Sequence, residues 1–165
     1  MRHMLSVASS DEITARPKIM VAAMSWVKKL SRDQGDWLEF TSALQYASDT
    51  LETPEGLLVR GHWRPTVGAR PANYGFNFFI GVDRVYAIDV QPAGRHKNTF
   101  GVGRPFHGQL ISGTHEHTWS SDGPGYAEPV TVLDIEGAWG MFAKRANIIG
   151  AEFVLPEDAR QGSLL

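Results

Sequence analysis

Tyr74-Gly75-Phe76-Asn77-Phe78-Phe79-Ile80-Gly81-Val82-Asp83-Arg84-Val85-Tyr86-Ala87-Ile88-Asp89-Val90 reads as two strands and a turn. Tyr74, Phe76, Phe78 and Ile80 alternate onto one side, and Tyr86, Ile88 and Val90 do the same after the turn. That period of two is the signature of a sheet with a buried face. Gly81-Val82-Asp83-Arg84 between the two runs is a hairpin signal.

Working outward, Leu57 to Trp63, Gln109 to Ser112 and His115 to Trp119 read as further strands. Gln91 to Pro105, rich in Gly, Pro, Arg and Lys, is too long and polar for a simple turn, and such loops often carry function. Ser120 to Gly125 is a turn cluster, and Glu152 to Leu155 is a candidate edge strand. Before the strands, Pro17 to Leu30 carries Ile19, Met20, Ala23, Met24, Trp26, Val27 and Leu30 at helical spacing. Trp37, Phe40, Leu44, Ala47 and Leu51 predict a second helix from Asp36 to about Leu51. A third is predicted from Asp134 to about Asn147, with Asp134 as its N-cap. The expected fold is α+β: an antiparallel sheet of about five strands with two N-terminal helices and one C-terminal helix. Residues 1–15 read as a flexible arm, 16–155 as a single domain and 156–165 as a disordered tail. Met1-Arg2-His3-Met4 has no apolar core and is not a signal peptide, and Met4 is a second candidate for the native start.

Composition narrows the chemistry. The 165 residues carry a net charge of −2, so no global basic field draws the chain to nucleic acid. There is no cysteine. Any metal must therefore use His, Asp, Glu or water, and the composition fits a reducing, cytoplasmic setting. No apolar run approaches the ~20 residues of a membrane helix.

Chemistry concentrates at Gly113-Thr114-His115-Glu116-His117-Thr118-Trp119. Residues two apart on a strand share a face, so strand geometry predicts the two imidazoles roughly 6–7 Å apart. That pair can share one metal ion or act on one phosphate. Four histidines fall between His96 and His117, together with Arg95, Lys97, Asn98 and Arg104. As a metal site, His115 and His117 supply two ligands, with Asp89, His96, His107, Asp122 or Glu128 for a third. The first cupin motif is not met, because the glycine spacing from Gly108 is one residue long and Asp122 stands where Glu belongs. As a metal-free phosphodiesterase, His96, His115 and His117 provide the acid and base. Arg95, Lys97, Asn98 and Arg104 hold the charged phosphate, and Tyr126, after a flexible turn, either closes over the site or anchors the loop. His62, beside Trp63, reads as structural, and Trp26, Trp37, Trp139 and Phe142 read as core.

Tyr86-x-Ile88-Asp89-x-x-Pro92, His96-x-Asn98, Ile111-x-Gly113-x-His115-x-His117-x-Trp119 and Gly125-Tyr126-Ala127 together resemble small bacterial and phage His-x-His families of uncharacterised function. The layout is also similar to TumE-type toxins of toxin–antitoxin systems. The resemblance spans about residues 74–148. It implies an RNA-directed toxin, and hence a protein partner such as an antitoxin or defence component, with RNA as substrate and a homodimer compatible. The leading expectation is a small ribonuclease-like phosphodiesterase that needs no cofactor and uses His115 and His117 with the basic loop 95–104. A non-catalytic phage or defence-system inhibitor and a His-ligated protein with a divalent metal ion are the alternatives.

Overall fold

A computed structural model describes residues 4–30, 32, 35–132 and 134–156. In chain order the elements are α1 (Val7–Ala15), β1 (Lys18–Met20), β2 (Val27–Lys29), β3 (Trp37–Tyr46), β4 (Leu57–Arg64), β5 (Asn73–Ile80) and β6 (Asp83–Val90). There follow β7 (Arg95–Lys97), β8 (Leu110–Ser112), β9 (His115–Ser120), β10 (Gly123–Pro129) and α2 (Ile135–Ala146).

The β5–β6 hairpin is the middle of an eight-stranded antiparallel sheet ordered β1-β3-β4-β5-β6-β9-β10, with β2 also pairing β3. Strands β1 and β2 share β3 as partner, β1 along Leu44 to Tyr46 and β2 along Trp37 to Glu39. Between β6 and β9 the chain leaves the sheet and makes a separate two-stranded ribbon, β7–β8. Helix α2 lies on one face. Asp134 caps it by accepting from the Gly137 amide at 2.7 Å, and Asn147 ends it in the left-handed conformation. Its buried Ala138, Trp139, Phe142 and Ala146 meet the aromatic residues of the sheet. Phe76 and Trp139 rings are 5.2 Å apart, and Phe142 stacks on Tyr86 at 5.7 Å.

This architecture corrects the expected one. The sheet has eight strands rather than about five, and neither predicted N-terminal helix forms. Residues 17–30 hold β1 and β2, and the region from Asp36 holds β3. The error has a physical cause. Phe40 and Leu44 are four apart, a spacing that shares a face in a helix and in a strand alike. Leu38, Phe40, Ser42, Leu44 and Tyr46 are the buried positions of β3, and the polar Ser42 in that file disguised the alternation. Ser42 is satisfied there, donating to Ala43 O at 2.9 Å and accepting from the Ala22 amide at 3.0 Å. In the first predicted helix, Val27 and Leu30 are exposed, whereas Trp26 is buried and donates its indole N–H to Val154 O at 2.8 Å.

The helix that does form near the N-terminus is α1, in the stretch expected to be an arm. Ser6 caps it, and Lys18 closes its far end. The Lys18 side chain is fully buried and its ammonium donates to Ile13 O, Thr14 O and Arg16 O at 2.8, 2.9 and 2.6 Å. Residues 151–155 run without strand pairing, so the expected edge strand is absent. Positions 1–3 of the expected arm and 157–165 of the expected tail lie outside the described residues. Among the described residues, no helix is long and apolar enough to cross a membrane.

Candidate metal centre

The sheet builds the site by register. Across adjacent strands, Glu39, His62, Gly75, Asp89 and His115 face one another in a single row. The next row includes Arg60, Asn77, Ala87 and His117. Cross-strand partners share a face, so Asp89, His115 and His117 converge on the side of the sheet opposite Phe76 and Ile88. The intervening Glu116 turns to the other face, where it accepts from Tyr86 Oη at 2.9 Å and pairs with Arg145 at 3.3 Å. This buried anchor fixes β9 between its two histidines. Burial and the Glu116 charge push the Tyr86 hydroxyl pKa up, so it stays a donor.

Ribbon β7–β8 folds over the same face and brings His96, paired opposite Ile111, onto the pair. His96 stacks on His115 with ring centroids 5.6 Å apart and meets His117 edge-on at 4.7 Å. One ligand nitrogen from each of His96, His115 and His117 lies within 4.8 Å of the others. His115 Nε2 and His117 Nε2 are 3.0 Å apart, and Asp89 Oδ2 is 2.9 Å from His117 Nε2 and 3.8 Å from His115 Nε2. His115 and His117 are buried and His96 is half-buried.

Proton placement follows from the outer nitrogens. His115 Nδ1 is 2.7 Å from Gly113 O, and His117 Nδ1 is 3.3 Å from Gly125 O. A carbonyl only accepts, so both Nδ1 atoms carry hydrogen. Gly113 is left-handed, φ 76°, and this bend places its carbonyl under the ring two residues on. In the neutral imidazoles, both Nε2 lone pairs then point at each other and at the Asp89 carboxylate. Burial lowers the His115 pKa, with the Gly113 carbonyl working the other way. Burial lowers that of His96 as well, against the Gly125 carbonyl. Burial alone would raise Asp89, but the His117 hydrogen bond and Arg84, 3.5 Å away, bring it down to about 2. With both Nε2 atoms unprotonated, the two rings and Asp89 present three acceptors to one another, an arrangement that a positive centre among them, a proton or a cation, would satisfy. His96 Nε2 adds to the demand, since it is buried and has no hydrogen-bond partner among the described residues.

Gly75 is the gap in the row. A Cβ there would lie 2.7 Å from both Asp89 Oδ1 and His62 Cε1. Its absence lets His62 stand beside Asp89. Burial lowers the pKa of His62, and Asp89 partly opposes this.

Other residues singled out in the sequence are placed elsewhere. Asn98 is fully buried and locks ribbon to sheet, exchanging two 2.8 Å bonds with the Ala127 backbone and donating to Phe106 O. Tyr126 is buried beneath loop 98–109, accepting from the Phe106 amide and donating to Glu128. Arg104 lies over the Tyr126 ring at 3.7 Å and donates to Ser120. Lys97 donates to Gly108 O, and Arg95 is exposed on β7. Asp122 accepts from the Gly101 and Val102 amides, and His107 Nδ1 faces Phe100 O. The structure thus gathers His96, His115, His117 and Asp89, while the polar groups of Asn98, Arg104 and Tyr126 hold the loop. His62 and Gly75 were missed as site residues. The β5–β6 hairpin already sets Gly75 across from Asp89, whereas only the strand order, which a single sequence does not disclose, brings His62 beside them. No family model matches this chain, and neither a curated protein nor a solved structure is significantly similar to it.

Proposed function

We propose that His96, His115 and His117 bind one divalent metal ion, with Asp89 beside it, and that the protein is a metal-dependent hydrolase. The observation that carries this is the convergence of two ring nitrogens and the Asp89 carboxylate, with an orphaned His96 Nε2 in the same cluster. Zinc–nitrogen bonds of about 2.0–2.1 Å put ligand atoms about 2.9 Å apart at right angles and about 3.3 Å apart at tetrahedral angles. The His115–His117 separation of 3.0 Å and the His117–Asp89 separation of 2.9 Å are of that size, and the three histidine nitrogens, within 4.8 Å of one another, close up by a ring shift on binding. Three histidines leave a coordination position for water, whose pKa a zinc ion lowers to about 7. Asp89 either completes the ligand set or takes the proton of that water. The carbonyls of Gly113 and Gly125 act as the outer partners that fix each ring. Phosphodiester cleavage, the expectation from the sequence, lies within this chemistry. A toxin role with a protein partner rests on the sequence resemblance alone.

A second reading has its own observation. The run Asp89–His117–His115, linked at 2.9 and 3.0 Å, is also a proton relay if His117 is an imidazolium. It needs no metal, but it leaves His96 Nε2 unexplained. Elemental analysis of untagged protein, dialysed against zinc, manganese or iron(II) and then buffer, separates the two. The metal reading predicts one ion per chain, lost in His115→Ala/His117→Ala. No ion in the wild type overturns it in favour of the relay.

A further inference from the structure

Next to the centre, the same face of the sheet forms an open groove of about 540 Å³ lined by Trp37, Glu39, Arg60, His62, Arg64 and Arg70. Residues 91–94 form one wall. The volume is that of a small-molecule site. Arg60, His62 and Arg64 alternate along β4, so all three share this face. Three guanidinium groups and the Glu39 carboxylate line the groove. The Arg60–Glu39 pair is long, 3.7 Å, and Arg60 Nε is buried without a hydrogen-bond partner. Two of the guanidinium groups sit over rings, Arg60 over Phe79 at 5.5 Å and Arg64 over Trp37 at 5.0 Å. Guanidinium groups anchored over rings along the wall of a groove present the donors that recognise an oxyanion. His62 links the groove to the centre, because it lines the one and stands beside Asp89 of the other across Gly75.

We propose that this groove is the substrate pocket and that it holds the oxyanion of a small molecule, a phosphoryl or carboxylate group, on Arg60 and Arg64 with Arg70 at the rim. The word substrate rests on the metal-hydrolase reading, whereas the anion site stands on the groove itself. A bound oxyanion accepts from the terminal N–H groups of Arg60, and the remainder of the molecule extends over His62 toward the metal.

The test is isothermal titration of zinc-treated protein with phenylphosphonate, which a hydrolase cannot cleave at its P–C bond, and with benzoate. The proposal expects at least one to bind, and the two arms decide between phosphoryl and carboxylate. Each charge-assisted bond is worth about 1.5–3 kcal/mol, so Arg60→Gln/Arg64→Gln should weaken binding by at least about tenfold with metal content unchanged. The exposed Arg70→Gln should weaken it less and provides a variant with no buried contact to lose. Binding retained by His115→Ala/His117→Ala supports the pocket even where the metal reading has failed. No binding of either probe overturns the proposal. So does full affinity in the arginine variants, or binding lost only in the histidine variant, which would put the anion on the metal.

Discussion

Gly75→Ala tests whether the site depends on the bare backbone at the centre of its row. The new Cβ would sit 2.7 Å from Asp89 Oδ1, 2.7 Å from His62 Cε1 and 2.8 Å from Ile88 O, all inside the 3.4 Å at which ordinary contact begins. The Ile88 carbonyl belongs to the strand backbone and yields little, so the two side chains must move. Overpacking of this kind costs about 1–3 kcal/mol. Moving Asp89 also disturbs its 2.9 Å contact with His117, and disruption of such partners typically costs about 10–100-fold in metal affinity. Gly61→Ala is the matched control. Its Cβ would strike Phe40 Cε1 at 2.2 Å, on the opposite face and away from the histidines. Urea unfolding of metal-free protein should show both variants destabilised. Competition against a chromophoric zinc chelator should show affinity lost in Gly75→Ala and kept within roughly twofold in Gly61→Ala. Wild-type affinity in Gly75→Ala, or equal losses in both, would refute the assignment of Asp89 to the centre.

Two further outcomes follow from groups outside the site. Lys18→Met removes three donors from the end of α1 and leaves the carbonyls of Ile13, Thr14 and Arg16 unsatisfied. It should cost about 2–4 kcal/mol in urea unfolding, and a neutral result would show that water replaces the ammonium. The amides of Gly101 and Val102 hold the Asp122 carboxyl below its ordinary 3.8. A lowered folded pKa gives stability that is present above the unfolded value and lost as pH falls through the folded one. The Gly101 and Val102 amide resonances should therefore titrate with a midpoint below 3.8, and a midpoint at or above it would contradict the contact.

The sequence displayed this site better than it displayed the fold. His115 and His117 are two apart on a segment whose strand character was legible, and their shared face follows from that alone. His96 was legible only as a histidine in a basic loop. Its place over the pair depends on ribbon β7–β8, whose three-residue strands are too short for a periodic signal. The N-terminal strands were hidden for a related reason. Phe40 and Leu44 satisfy both periods, and Ser42 masked the one that won. Arg104 and Lys97 read as phosphate contacts, and in the structure Arg104 lies over Tyr126 of β10 and donates to Ser120 of β9, while Lys97 donates to Gly108 O. The guanidinium groups that line a cavity, Arg60 and Arg64, come from β4, a strand far from the histidines in sequence. Long-range antiparallel pairing brings them together, and one chain read alone carries no trace of which strands will be neighbours.

The most direct measurement is anomalous diffraction at the zinc edge from crystals of zinc-treated, untagged protein. The account predicts one strong peak about 2.0–2.2 Å from a ring nitrogen of each of His96, His115 and His117. No peak among these three residues, or a peak bound only by groups elsewhere on the surface, would contradict it.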